Sequence, residues 1–488
     1  MNGSVDHLDH RVRGGWTPSG AADTGLPAHA SRWLGARTGL TPRDTPVAPD
    51  SGLAVPESGL PAAVRSVLAD IVGVEHVLVE RDERLGRAGG LSYLDLLARR
   101  GAGELPVPDA VVVPADPEQT RRVVLACATH DVGIVPFGGG TSVVGGVSAR
   151  RGDKTAVVVL DLHRLDRLVS VDPVSRLAVF QAGVVAPDAE RMLAEHGFTL
   201  GHVPQSFERA TLGGFAATRS SGQASAGYGR FEDMVQGVRL ATPRGEWRLG
   251  VAPASAAGPD LRQLVVGSEG AFGVITEVTV RIRPTPTHHR YEAFIVDGFA
   301  AGADLVRTLA QNDALGTVTR LSDPEETDLA LTLTGGWKTA LVRAYLKARR
   351  ITTPCLLIIG WEAHSRTALN SRRRTTLSFL RTSSRKPGLL KPSFPKSHLP
   401  THLDFSTHHL PGDARIPDHP DFSAHHAPDD ARLPDDARLP DDARLPDDAR
   451  LPDDARLPDD ARLPDDARLP DDARLPDDAR LPDDARLP

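Results

Sequence analysis

Apolar residues at Leu60, Val64, Val67, Leu68 and Ile71 recur at the three- and four-residue spacing of a helix with one buried face, and residues 92–99 (SYLDLLAR) repeat the pattern more briefly. The period then changes. Residues 110–113 form a continuous apolar β run. A helix follows, with Asp116 as its cap, Pro117 in its first turn and Glu118 and Gln119 near its positive end. A second β run over 132–137 leads directly into glycines. Beyond them come short β runs at 156–160, 168–171 and 177–181, and a helix over 187–196 that Gly197 ends. The segment 267–284 closes in an alternating strand. From about Tyr291 a new α/β pattern begins: strand YEAFIVDGF, helix AGADLVRTLAQN, strands TVTRLSD and PCLLIIGWEA. Apolar periodicity is lost near Arg381. The pattern predicts an α+β chain.

The boundaries follow from these shifts: an irregular Gly/Pro/Ser/Thr-rich leader over 1–56, a helical segment over 57–106, a glycine-rich domain over 107–286 and a smaller α/β domain over 287–381. Residues 382–427 are rich in basic residues, Ser, Pro and His and poor in large apolar groups, so disorder is expected there. Residues 428–488 are PDDARL written ten times and closed by Pro488. A proline every sixth residue rules out a helix beyond about one turn, and extended disorder is expected.

Charge and cysteine content narrow the function classes. Each PDDARL copy carries two Asp against one Arg, so ten copies contribute -10 to a chain total of -7 and leave +3 on the first 427 residues. That balance gives no reason to expect nucleic acid as a partner. Two cysteines, Cys127 and Cys355, are too few for a disulfide framework or a zinc site, and the paired histidines lack a carboxylate at ligand spacing, so no metal is expected. No window reaches the roughly 18 apolar residues of a membrane span and no signal-like start is present, so a cytoplasmic setting is expected.

Three polar glycine stretches are the candidates for chemistry. The first, PFGGGTSVVGG over 136–146, directly follows a strand; its glycines leave N–H groups able to turn toward an anion, and Thr141 and Ser142 add hydroxyls. No Lys follows, which excludes a GxxxxGK[ST] loop, and the spacing is not GxGxxG. Asp161 lies where a Rossmann acidic residue would, but a strand rather than a helix follows the loop, so that reading fails. The second stretch is GHVPQSFERATLGGFAATRSSGQASAGYGR over 201–230, continued by TPRG, and the third is GSEGAFGVITEVTVRIRP over 267–284.

In order and spacing these three motifs resemble the FAD-binding oxidoreductases of the vanillyl-alcohol-oxidase or PCMH type, and most of all their alkyldihydroxyacetonephosphate synthase branch and its bacterial relatives. The resemblance covers roughly residues 60–381. It implies a two-subdomain FAD-binding fold over 107–286 followed by a cap domain, here incomplete. Pro136, Phe137, Gly138, Gly139, Gly140, Thr141 and Ser142 would bind the FAD pyrophosphate. Gln205, Ser206, Thr211, Gly213, Gly214, Thr218, Arg219, Ser220, Ser221, Glu269, Gly270, Gly273 and Ile275 would line the rest of the cofactor. Some relatives attach FAD through a histidine near the glycine loop; this loop has none, so non-covalent FAD is expected.

Arg320 matches an active-site arginine of the synthase branch and would grip a carboxylate or phosphate, while His202 would polarise a carbonyl, a role set against that of a packed, hydrogen-bonded histidine. The expected partner is a small anionic molecule, with a homodimer as the candidate assembly. Two reactions fit: hydride transfer from a 2-hydroxy-acid-like substrate to flavin N5, or redox-neutral exchange of an acyl group for a fatty alcohol on dihydroxyacetone phosphate. In the family, the part corresponding to the sequence beyond 381 supplies a catalytic tyrosine and a histidine-rich loop, and no tyrosine follows Tyr345 here. The alternative expectation is therefore an inactive FAD-binding fragment with a disordered tail.

Overall fold

The computed structural model describes residues 28–39, 52–101, 103–250, 256–383 and 389–390. The expected repeat tail, most of the leader and nearly all of the basic segment lie outside the described residues. The first sheet runs Val77–Leu78, Ala110–Val112, Ala156–Asp161, Val132–Phe137, and its last three strands are parallel. Ala110–Val112 and Ala156–Asp161 are buried along their whole length, which is why they read as unbroken apolar runs. The helix Pro117–Thr129 makes the crossover between parallel strands, and the Asp116 side chain caps it by accepting from the Gln119 N–H.

A second, antiparallel sheet follows in the order Leu168–Asp172, Leu177–Gln181, Val274–Arg281, Val235–Thr242, Gly245–Leu249. Pro117–Thr129 packs on this sheet as well as on the first. Val123, Val124 and Cys127 therefore share one core with Phe180, Val238 and Val278. The helix Leu212–Thr218 lies against Val274–Arg281. Two sheets, one largely parallel and one antiparallel, that share the helix Pro117–Thr129 make an α+β fold.

The third sheet has its own core. His288–Asp297 pairs with Pro354–Ala363 over ten residues, flanked by Val318–Leu321 and Leu389–Leu390. Here the sequence reading needs correction. The strand begins at His288, and Phe299 opens the helix Phe299–Gln311 rather than closing the strand. The helices Pro324–Thr334, Gly336–Ala348 and Arg366–Ser383 were not anticipated. The last of these carries Thr376 where an apolar residue is expected. That hydroxyl accepts from the Nε1–H of the fully buried Trp361 at 3.0 Å and donates to the Ala314 carbonyl at 2.7 Å. Among the described residues no helix is long and apolar enough to cross a membrane, and no cluster of metal-ligating side chains occurs.

Candidate active site

A cleft of about 360 Å³ opens where the three glycine stretches meet. Each is brought there by backbone contacts. The chain leaves Val132–Phe137 into Gly138 and Gly139. A methyl group on Gly139 would lie 1.8 Å from the Arg209 carbonyl oxygen, so only glycine lets the first stretch rest on the second. Thr211 caps Leu212–Thr218 by accepting from the Gly214 N–H at 3.2 Å. At the other end of that helix, the open carbonyls of Ala216 and Ala217 accept from the N–H groups of Gly267 and Glu269 at 2.9 and 3.0 Å, which hangs the third stretch on the second. Glu269 adopts a left-handed backbone (φ 48°) to make this turn.

The wall so formed is uncharged apart from one carboxylate. Its lining includes Pro136, Phe137, Gly138, Gly139, Gly140, Thr141 and Ser142 from the first stretch, Ser206, Thr211, Gly213, Gly214, Thr218 and Ser220 from the second, and Glu269, Gly270, Gly273 and Ile275 from the third. Among the described residues no Lys, Arg, His, Cys or Tyr lines it. The backbone N–H groups of Gly139, Thr141 and Ser142 have no acceptor among the described residues. Donors left open beside a cleft are suited to phosphate oxygens, and Glu269 supplies an acceptor for sugar hydroxyls or an amino group. The donor set therefore fits a dinucleotide such as FAD.

Several residues singled out in the sequence stand outside this lining. Gln205 and Ser221 are exposed. Arg219 turns away, donating to the carbonyls of Val266 and Gln263 at 2.8 and 2.7 Å. Arg320 lies on Val318–Leu321 and its guanidinium pairs with Glu326. His202 sits behind the wall, 2% exposed, and meets Ser220 Oγ at 2.9 Å through Nε2. The lining also includes residues that sequence reading missed, among them Leu162 and Ala182, apolar positions outside the three stretches, and Phe215 and Ala217, apolar positions within the second.

Burial pushes His202 from its usual 6.5 down to about 4. Its proton binds more readily to the unfolded chain, so this residue's contribution to stability is complete above pH 6.5 and is lost as pH falls toward 4. That interval corresponds to at most about 3 kcal/mol. Urea unfolding at pH 7 and pH 4 should show the unmodified chain losing up to that much more stability than His202→Gln, whereas equal losses would contradict a neutral buried imidazole.

Residues 108–249 match the family described as FAD binding domain. A solved alkyldihydroxyacetonephosphate synthase structure superposes with a TM-score of 0.65 at 28% identity, over 72% of this chain and 66% of that one. A p-cresol methylhydroxylase structure shares the fold, with a TM-score of 0.51 at 16% identity over 69% of this chain and 68% of that one. In sequence the chain is similar to the alkyldihydroxyacetonephosphate synthase of Dictyostelium discoideum, 33% identical over 298 residues, which are 58% of this chain and 48% of that protein. It is also similar to the mitochondrial D-lactate dehydrogenase [cytochrome] of Arabidopsis thaliana, 34% identical over 186 residues, 37% of this chain and 31% of that protein. The chain thus spans about half or less of the length of these curated relatives.

Proposed function

We propose that the chain binds FAD non-covalently in this cleft and oxidises a small anionic, 2-hydroxy-acid-like substrate. The observation that carries the reading is the convergence of open backbone N–H groups and hydroxyls on one wall free of Lys and Arg, which would hold a pyrophosphate by dipoles rather than by a cation. Among the described residues that line the cleft none is His, Cys or Tyr, the usual side chains for covalent attachment to flavin. Bound there, the flavin would supply the hydride acceptor. The residues of the wall would bind and orient it: residues 138–142 at the diphosphate, Ser206, Thr218 and Ser220 at polar edges, Glu269 at hydroxyl or amino groups. The likeness to a D-lactate dehydrogenase supports the substrate class.

A second reading, redox-neutral exchange on dihydroxyacetone phosphate, is favoured by the likeness to alkyldihydroxyacetonephosphate synthases in both sequence and fold. One series of measurements separates them. Purified protein is expected to carry a flavin spectrum, and acid precipitation should release all of the flavin into the supernatant; flavin retained in the pellet would overturn non-covalent binding. Anaerobic addition of 2-hydroxy acids should then bleach the bound flavin. Flavin that stays oxidised with every such acid, together with acyl release that consumes no electron acceptor, would replace the first reading with the second.

A further inference from the structure

His202 meets Ser220 at the cleft wall, and the FAD reading gives the histidine itself no part. We propose that His202 is a positioning residue whose Nε2–H holds the Ser220 hydroxyl as a hydrogen-bond donor to the cofactor; this rests on FAD occupying the cleft.

The assignment comes from the nitrogen on the other side of the ring. His202 Nδ1 is buried and has no hydrogen-bond partner among the described residues, while Nε2 lies 2.9 Å from Ser220 Oγ. The ring is packed against Phe215 and Phe231, with centroids 4.8 and 5.2 Å away. If Nδ1 carried the proton, a buried N–H would be left without an acceptor. If Nε2 carries it, the orphan is a lone pair. Buried donors without partners are rarer in proteins than under-satisfied acceptors, and contact between an N–H and an aromatic ring is a second-order substitute for a hydrogen bond. The doubly protonated ring would leave a charge in the same apolar setting and is excluded by desolvation, in line with its depression to about 4. The proton therefore sits on Nε2.

The consequence passes to Ser220. Its Oγ accepts from His202, and its own proton is left to point elsewhere. The serine cannot rotate as a unit, because its N–H donates to the Phe215 carbonyl and its carbonyl accepts from the Phe231 N–H, both at 3.0 Å. Ser220 lines the cleft, and no other partner for its hydroxyl occurs among the described residues. The wall thus presents an O–H donor at this point and selects an acceptor atom of the ligand, such as a ring carbonyl or phosphate oxygen, over an N–H.

Two measurements on the full chain test this. Spectra of protein carrying ¹⁵N-histidine, with the His202 signals assigned by their loss in His202→Gln, are expected to show the Nε2–H tautomer; an Nδ1–H tautomer overturns the proposal. FAD dissociation constants then form a double-mutant cycle. His202→Phe and Ser220→Ala should each weaken binding on the order of tenfold, the double variant no more than either single, and His202→Gln, whose amide N–H reaches the same hydroxyl, should recover most of the loss. Where His202→Phe does not fold, His202→Asn, too short to reach Ser220, takes its place in the cycle. Tight FAD binding with additive losses overturns the proposal alone, whereas an unmodified chain that binds no FAD overturns the function reading and the proposal with it.

Discussion

Gly139→Ala is expected to strip the protein of flavin and to destabilise it by roughly 4 kcal/mol or more. The added methyl would lie 1.8 Å from the Arg209 carbonyl oxygen and 2.5 Å from its carbon, and both contacts are backbone. Neither side can give. The Arg209 and Ala210 N–H groups are tied to the Ser206 carbonyl at 3.0 and 2.9 Å, and the Ala210 carbonyl accepts from Ala186 at 3.1 Å. Relief therefore requires the first stretch to lift off the second, which opens the cleft and carries away the N–H groups of Thr141 and Ser142. Gly133→Ala, in the strand that launches the loop, is the control: its nearest contact would be Lys154 Cγ at 3.5 Å, an ordinary van der Waals distance. Flavin absorbance per mole of protein and urea midpoints compare the two. Flavin content near that of the unmodified chain in Gly139→Ala would mean that the close approach is not what shapes the cleft.

Why some of this is legible in the sequence and some is not follows from where each signal resides. The strand, helix, strand and glycine loop between Ala110 and Gly146 are legible because local rules act there: continuous apolar runs for parallel strands, Asp116 and Pro117 for a helix start, glycines where backbones touch. Meeting of the three stretches at one cleft is legible only through family resemblance, since nothing in their spacing says that Gly267 and Glu269 complete the end of Leu212–Thr218. The helix Arg366–Ser383 escapes periodicity because its buried side holds Thr376 between Leu369 and Leu380, and because Arg372, Arg373 and Arg374 fill the turn between them. Arg373 finds its partner in Glu292, 81 residues earlier, on the strand His288–Asp297. Long-range pairs of this kind leave no local trace. His202 is a partial case: a packed, hydrogen-bonded histidine is one of its two sequence readings and is what the structure shows, but nothing local says that its reach ends at Ser220.

Asp161 gives the second large effect, for a reason the sequence also hides. Its position after the glycine loop is that of a Rossmann acidic residue, a role the strand context excludes; the side chain is fully buried and accepts from Arg87, 74 residues away, at 2.9 Å and from the His163 N–H at 3.1 Å. Arg87 is itself 7% exposed. Asp161→Ala would leave that guanidinium without its buried carboxylate, a loss of about 3–5 kcal/mol, with Glu83, its other partner, recovering only part. Asp161→Asn keeps an acceptor and should lose less. Arg87→Met combined with Asp161→Leu removes both charges and should return most of the stability, since a buried ion pair and a packed apolar pair of similar volume differ little. The cofactor should respond as well. Asp161 stands opposite Phe137 in the parallel pair, and the next residue, Leu162, donates to the Phe137 carbonyl at 3.0 Å, so the pair fixes the strand end from which the glycine loop departs. Asp161→Ala is therefore expected to weaken FAD binding without touching the ligand, and the apolar double variant to restore it. An apolar double variant with recovered stability and still-impaired FAD affinity would instead give the charge pair a direct electrostatic part in holding the dinucleotide.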